Sequence, residues 1–359
     1  MNPLRASSRP LLVLALLVLA PLGAEASETW VSIVPPPKGG AAAPSSVAPA
    51  PGPTASTAPT APTAKGKKAK PGTPPPAAIP VPKGAVVAGD SGLVDVTTGR
   101  FPVGEAPIRP ERIDRTYIRI GSGGGRPMPL TGARVEGSAT RLDATYAGIG
   151  LAAVAVQLVP EPAERKAEEF EAFLSDSGCS SAQEERKKKK ETKKAARVVT
   201  ISSAKTFLLV VEPRAKAPAS TDGGSDPIPM PLAIVVEGNP LAVAPGTPFN
   251  VTLLRDGQPA PDAALRLYAD GAASPALVRT GPDGKAALVA EKPGPFLLAA
   301  ATVRRTVKDD RKKGEAWKKA DWEVATTTLR LEAAVPPPPP APTPVPTATA
   351  KPAKKPKKK

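Results

Sequence analysis

Residues 249–253 read Phe-Asn-Val-Thr-Leu, apolar at 249, 251 and 253 and polar at 250 and 252. Successive side chains of a strand point to opposite faces, so this alternation buries one face and wets the other. The two-residue period returns downstream, where Leu265 and Leu267 alternate with Arg266 and Tyr268. Asp256-Gly257, Gly281-Pro282-Asp283-Gly284 and Pro293-Gly294 supply the residues that turns require between such runs. Seven short strands are predicted, near 230–237, 247–254, 263–269, 276–279, 285–289, 295–304 and 322–331. Seven strands in roughly 100 residues with regular punctuation indicate an immunoglobulin-like or prealbumin-like sandwich over residues 226–332. Aromatic residues make up 3% of the chain, so its core is expected to be mostly Leu, Val and Ala. Lys308 to Ala320 interrupts the last hairpin as a charged excursion with helical character.

Upstream, residues 85–225 predict a second β-rich unit with a helical insertion. Thr116, Ile118 and Ile120 alternate with Tyr117 and Arg119, and Gly121 to Gly125 then make a flexible turn. Leu151 to Val159 is an apolar strand that stops at Pro160. Pro162 suits a first helical turn, and Ala163, Ala167, Phe170 and Leu174 follow at helical spacing, with Gly178 as the stop. Gln183 to Ala196, with Lys187 to Lys190, reads as a charged helix or loop, and Val198 to Glu212 returns to strand. The fold class expected is therefore mainly β, two sandwich units flanked by disordered segments. Whether the two units pack together is left open by the sequence.

The flanks are of another composition. Arg5 and Arg9, the apolar run Leu11 to Leu19 and the small-x-small site Ala24-Glu25-Ala26 have the layout of a secretory signal peptide over residues 1–26. A membrane anchor is the rival reading, but the run is shorter than the roughly 20 residues a spanning helix needs, and no later segment is long and apolar enough to span, so the mature chain is expected to be no integral membrane protein. Its periplasmic or extracellular form would begin Ser27-Glu28-Thr29-Trp30, a short segment over 27–34. Residues 35–84 hold 15 Pro, and residues 333–359 hold 10. Proline fixes φ and removes a backbone donor, so both stretches read as solvated spacers.

Charge follows the same division. The whole chain carries +16. Residues 1–84 contribute +6 and residues 333–359 another +6, which leaves +4 for the globular part. The basic tail residues Lys351, Lys354, Lys355, Lys357, Lys358 and Lys359 are the candidate contact residues for anionic envelope material such as phospholipid, lipopolysaccharide or teichoic acid. A solvated tail without a partner is the competing reading. Nucleic acid is not expected, because export removes it and no aromatic residue lies among the lysines.

The residue inventory narrows the chemistry further. There is no His and one Cys. That excludes imidazole acid–base catalysis, Ser-His-Asp triads, His-ligated metal and disulfides within one chain. Gly148 to Ala153 fits a GxGxxA string, but a β-like run follows it where a dinucleotide site needs a helix. Cys179 has no base beside it in sequence, only Lys187 to Lys190 nearby. Lys205 with Ser202 or Ser203 imitates a Ser-Lys dyad, yet reads as a solvated strand face. Asp309 and Asp310 lack the spaced loop of a hard-cation site and are expected to keep a hairpin tip soluble. The sequon Asn250-Val251-Thr252 lies inside a predicted strand. No catalytic residue, cofactor or metal ligand is assigned.

Glu168 to Gly178, Ser203 to Leu209, Pro231-Leu232, Val243 to Gly246 and Ala320 to Glu323 occur in an order and spacing similar to a known family. That family is the exported, immunoglobulin-like group of domains of unknown function related to periplasmic components of nickel and cobalt uptake. The resemblance covers about residues 92–332 plus Ser27 to Trp30. It implies a β-sandwich and a mature N-terminus that commonly begins His-Asp-Phe-Trp, whose terminal amine and imidazole can chelate a divalent ion. Here the stretch is Ser27-Glu28-Thr29-Trp30. A Ser hydroxyl replaces the imidazole that suits Ni and Cu, so the resemblance implies a degenerate metal site at most. The leading expectation is a non-enzymatic binding or structural module. The alternative is an accessory of nickel or cobalt uptake.

Overall fold

The computed structural model describes residues 28–34, 85–121, 128–212, 227–270, 272 and 274–334. The signal peptide, the first Pro-rich stretch, most of the Gly121 to Gly125 turn and the tail lysines 351–359 lie outside the described residues.

The upstream strands are β1 (Glu28–Val34), β2 (Val86–Val87), β3 (Ser91–Arg100), β4 (Val103–Pro107), β5 (Ile113–Ile120), β6 (Thr131–Glu136), β7 (Ala139–Thr145), β8 (Gly150–Leu158) and β9 (Glu161–Arg165). Helices α1 (Ala167–Asp176) and α2 (Ser180–Lys188) lead to β10 (Ala196–Val211). The downstream strands are β11 (Leu232–Val236), β12 (Pro248–Arg255), β13 (Gln258–Pro259), β14 (Ala264–Ala269), β15 (Ala276–Arg279), β16 (Lys285–Val289), β17 (Gly294–Arg305) and β18 (Trp322–Ala333). The molecule is mainly β. Each of the seven strands predicted from residues 226–332 is present within about two residues of its expected bounds. The excursion before β18 forms two short 3-10 turns at Asp310–Lys312 and Glu315–Trp317.

Those downstream strands make an immunoglobulin-like sandwich. One sheet holds β11, β12 and β16, with β13 at its margin, and the opposing layer runs β15-β14-β17-β18. The opposing layer does not stop at β18. It continues through β10 and β8 to β5, a single sheet of nine strands once β2 and β9 are included. The seam is the parallel pairing of β10 with β18, from Val198 opposite Trp322 to Thr206 opposite Arg330. A third sheet, β1-β3-β7-β6 with β4 beside β3, covers the upstream part of the long sheet. Strands of both halves therefore share one backbone ladder.

Strand β8 shows how the layers stack. Its Ala152, Val154 and Val156 join the core under the β1-β3-β7-β6 sheet, together with Val94, Val96 and Leu142. Its Leu151, Ala153 and Ala155 face the other way, into the core with Leu232, Ile234, Leu253 and Phe296. A strand covered on both faces reads as a continuous apolar run, which is what Leu151 to Val156 shows. Small Ala residues let both neighbours approach.

Pro162 is a correction to the sequence reading. It sits in β9, paired with Val199 of β10, and the helix begins only at Ala167. The acidic pair Glu168 and Glu169 occupies its first turn, where the helix dipole favours negative charge. Phe170 and Leu174 are buried against Trp322 and Val198, as their spacing predicts. Gly178 ends α1 at φ +64, with its N–H bonded to Ser175 O and the Cys179 N–H to Leu174 O. That is a Schellman closure, which needs a left-handed residue.

Candidate functional site

Strand β10 carries Ser202, Ser203 and Lys205, the apparent dyad, and their surroundings explain them. Leu253 of β12 uses its own N–H and C=O on the side away from β11, bonding Gly284 O and Ala260 N. Ile234, paired with Leu253, therefore turns its main-chain groups outward, and Leu232 does the same two residues earlier. These are carbonyls of an edge strand pressed into the interior, where an unpaired oxygen is costly. Ser203 Oγ reaches Leu232 O at 3.3 Å and Thr326 O at 3.2 Å, sharing one proton between them, and Lys205 Nζ donates to Ile234 O at 2.5 Å. Side chains two apart on β10 thus meet carbonyls two apart on β11.

Lys205 is 1% exposed, and its ammonium lies 5.0 Å from the centroid of the Phe207 ring. Burial, with a smaller push from Arg119, brings its pKa down to about 7. The solvated strand face expected for Lys205 is wrong: the face is covered by β11. Ser202 accepts from Thr326 Oγ1 at 3.0 Å on the seam with β18. Ser203 and Lys205 each serve the main chain, and no Ser-Lys couple is formed between them.

A second charged group lies beside β18. Glu323, 2% exposed, accepts from Arg255 at 2.7 Å, from Arg304 at 2.9 and 3.1 Å, and from the Trp317 indole N–H at 2.9 Å, with Lys313 at 3.3 Å. Asp310 receives both arms of Arg304 at 2.7 and 2.8 Å and the Val307 N–H at 2.8 Å. The Arg304 side-chain bonds hold the Asp310 carboxyl well below the usual carboxylate range. Burial pushes Glu323 up, but Trp317 and the cations Arg304, Lys313 and Arg255 outweigh it and hold it low. Asp309 is solvated beside Lys312 as expected, whereas Asp310 is buried and closes the excursion onto β17. The sequence reading missed this nest. Its signals were a Glu within the Trp322-Glu323 strand and a pair of arginines, Arg304-Arg305, ahead of the Asp pair.

The remaining candidates fall into place. Cys179 is partly buried, with its thiol near Ser177 O and Ala301 O at 3.8 and 3.7 Å. Burial pushes it up to about 11, so it is a thiol at neutral pH. A cavity of about 80 Å³ lies beside it, lined in part by Asp262, Thr302 and Val303. A shallow groove of about 220 Å³ runs between Pro162, Arg197 and Ala316. Gly148 to Ala153 turns directly into β8, with no helix to receive a phosphate. Asn250 is an exposed residue of β12.

Strand β1 bears the residues of the resembled N-terminal segment. Trp30 is buried and meets Phe101 edge to face at 5.7 Å. Thr328 Oγ1 donates to Thr29 O, which ties β1 to β18 across the seam. The Glu28 carboxylate accepts from the Tyr268 hydroxyl at 3.4 Å, and burial, offset in part by Arg266 and Tyr268, raises its pKa to about 7. Among the described residues no three of His, Cys, Asp and Glu gather in an arrangement for a metal ion.

The profile of the family described as "Domain of unknown function (DUF4198)" matches residues 87–304. The chain belongs to this family. The DUF4198 match begins in β2 and ends in β17, and so takes in the seam strand β10, the Lys205 clamp and Arg304. No curated protein matches the sequence. Among solved structures, the D0-D1 domain of intimin is 13% identical, with 70% of this chain and 95% of that chain covered and a TM-score of 0.16. The fibronectin(III)-like modules of Clostridium thermocellum CbhA are 11% identical over 69% of this chain and 89% of that chain, also at 0.16.

Proposed function

We propose that this DUF4198 chain is an exported β-sandwich protein that works by contact, as a binding or structural module in the bacterial periplasm or at the cell surface, without turning over a substrate. One observation carries the reading. The groups that could do chemistry are spent on holding the sheets: Ser203 and Lys205 on β11 carbonyls, Asp310 and Glu323 on Arg304, and Cys179 as a partly buried, protonated thiol. The signal-peptide layout and the Pro-rich flanks support export and reach. The six tail lysines supply weak, salt-screened attraction to anionic envelope components.

The test is sedimentation of the full mature chain with anionic envelope fractions. Binding should fall steeply with salt and be reduced by removing residues 335–359, a cut that leaves β18 whole. Salt-insensitive binding by the shortened chain would reject the tail's role. A second reading, an accessory of nickel or cobalt uptake with a degenerate site, rests on the family resemblance alone. It would bind metal through the N-terminal amine and carboxylates.

A further inference from the structure

The internal lysine run is built differently from a solvated tail. Residues 184–195 carry seven basic and three acidic side chains. Two of the acids are drawn inward. Glu185 accepts from Arg305 at 2.7 Å and from Lys189 at 2.9 Å, and Glu191 accepts from Arg305 at 2.5 Å. Arg305 itself lies 4.4 Å from the Trp322 ring centroid, fixed to the start of β18. Glu184 is the acid left outward. Lys187, Lys188, Lys190, Lys193 and Lys194 are exposed and form no ion pair among the described residues.

The backbone beneath them is locked. Arg186, 1% exposed, donates to Glu171 at 2.5 Å and to the carbonyls of Glu191 and Lys194 at 2.7 and 2.8 Å, and lies 5.0 Å from the Phe170 ring centroid. One buried guanidinium thus binds the turn after α2 to α1. The lysines also follow the C-terminal turn of α2, where the helix dipole favours cations. Lys190 reverses the chain at φ +56. The result is a fixed knob whose exposed side chains are mostly cationic. Presenting charges on a locked backbone reduces the ordering entropy that a flexible tail loses on binding.

We infer that this knob is a docking surface for an anionic membrane, engaging phosphate-bearing lipid headgroups. The inference rests on the exported, contact-based reading above. Lysines are compact point charges without the planar fork that selects one phosphate, which suits a diffuse plane of headgroups. No aromatic residue lies within residues 184–195 to stack on bases or sugars. The knob also stands apart from the tail. β10 and β18 run parallel from the knob, and β18 ends at Ala333, about 36 Å away at roughly 3.3 Å per residue. The two basic regions can therefore be removed separately.

The experiment is flotation of the full mature chain with vesicles of 30% phosphatidylglycerol in phosphatidylcholine, against pure phosphatidylcholine. The knob variant carries K187Q, K188Q and K193Q with Lys190→Asn, since Asn accepts the left-handed backbone. It should bind roughly 100-fold more weakly in low salt, given the attraction of each lysine to an anionic surface. A charge-matched control, K292Q, K308Q, K319Q and R311Q, should bind like the parent, and unchanged circular dichroism and melting should confirm that both variants fold. Undiminished binding by the knob variant, with loss on removing residues 335–359, would overturn the knob and leave the tail reading standing. Binding to a soluble anionic polysaccharide but not to the vesicles would overturn the lipid assignment. Absence of anionic binding in every version would overturn both.

Discussion

Glu323 and Lys205 are both ionisable groups set in the dry interior, and the fold holds them in opposite ways. Around Glu323 every buried charge has a partner of opposite sign: two carboxylates share Arg304, with Arg255 and Lys313 beside them. At Lys205 the amino group meets a carbonyl and an aromatic ring, and no carboxylate pairs with it among the described residues. In the first group the carboxyls of Asp310 and Glu323 are held low and Arg304 and Lys313 are raised, while burial lowers Arg255. The second moves toward neutrality, because desolvation opposes the charged form and no anion answers it. A buried charge is held by its partners, whereas a buried donor can be held by geometry alone.

The largest test of that contrast is Glu323→Ala. It leaves Arg255, Arg304 and Lys313 without their common carboxylate, and breaking such a buried set costs about 3–5 kcal/mol. Urea unfolding of the full chain at pH 7 should show that loss, and a change under about 1 kcal/mol would mean the nest is solvated and the contrast false. The acid limb should flatten as well. Glu323 and Asp310 have folded pKa values below their unfolded ones, so their contribution is present above the unfolded values near 4 and is lost as pH falls through the folded ones.

Lys205→Met comes next and has the opposite sign. The folded pKa of about 7 lies below the unfolded 10.5, so the folded state binds fewer protons between those values. Wild-type stability from Lys205 therefore falls as pH drops from 10.5 to 7 and is flat below. The Met variant gives up the bond to the Ile234 carbonyl but escapes the larger cost of a buried ammonium, so it should be more stable by about 1–3 kcal/mol at pH 7, with the gain shrinking toward pH 10.5 as only the lost bond remains. A gain that does not vary with pH would show that Lys205 is not neutralised by burial. Ser203→Ala removes the other half of the clamp and should cost about 1 kcal/mol through the unpaired Leu232 carbonyl. The smallest effect belongs to Tyr146→Phe. The Tyr146 hydroxyl is buried without a hydrogen-bond partner among the described residues, so its removal should leave the melting temperature unchanged or slightly raised.

The sequence revealed the strands whose period was clean. Phe249 to Leu253 and Leu265 to Leu267 lie one face to the core, so a single alternation carries their fold. β8 was legible for the opposite reason, an apolar run that only double burial explains. The seam between β10 and β18 was invisible, because Val198 to Thr206 and Trp322 to Arg330 are more than 100 residues apart and parallel pairing leaves no turn between them. Pro162 misled because a proline at a strand margin and one at a helix start carry the same local signature. Lys205 misled because a lysine in an alternating strand usually faces water. What covers it, β11, is a strand from the other half, and only the register of β11 on β12 leaves the Ile234 carbonyl in need of a donor. The Lys187 to Lys190 run was legible as charge but not as a platform, since Arg186 differs from its neighbours only in where the fold buries it.

Contact as the mode of action is tested most directly at the metal. Protein purified from the periplasm should retain no nickel after dialysis, and titration with nickel should give no saturable heat. A stoichiometric, tightly held nickel ion would contradict it, and would return the N-terminal segment around Glu28 to the centre of the function.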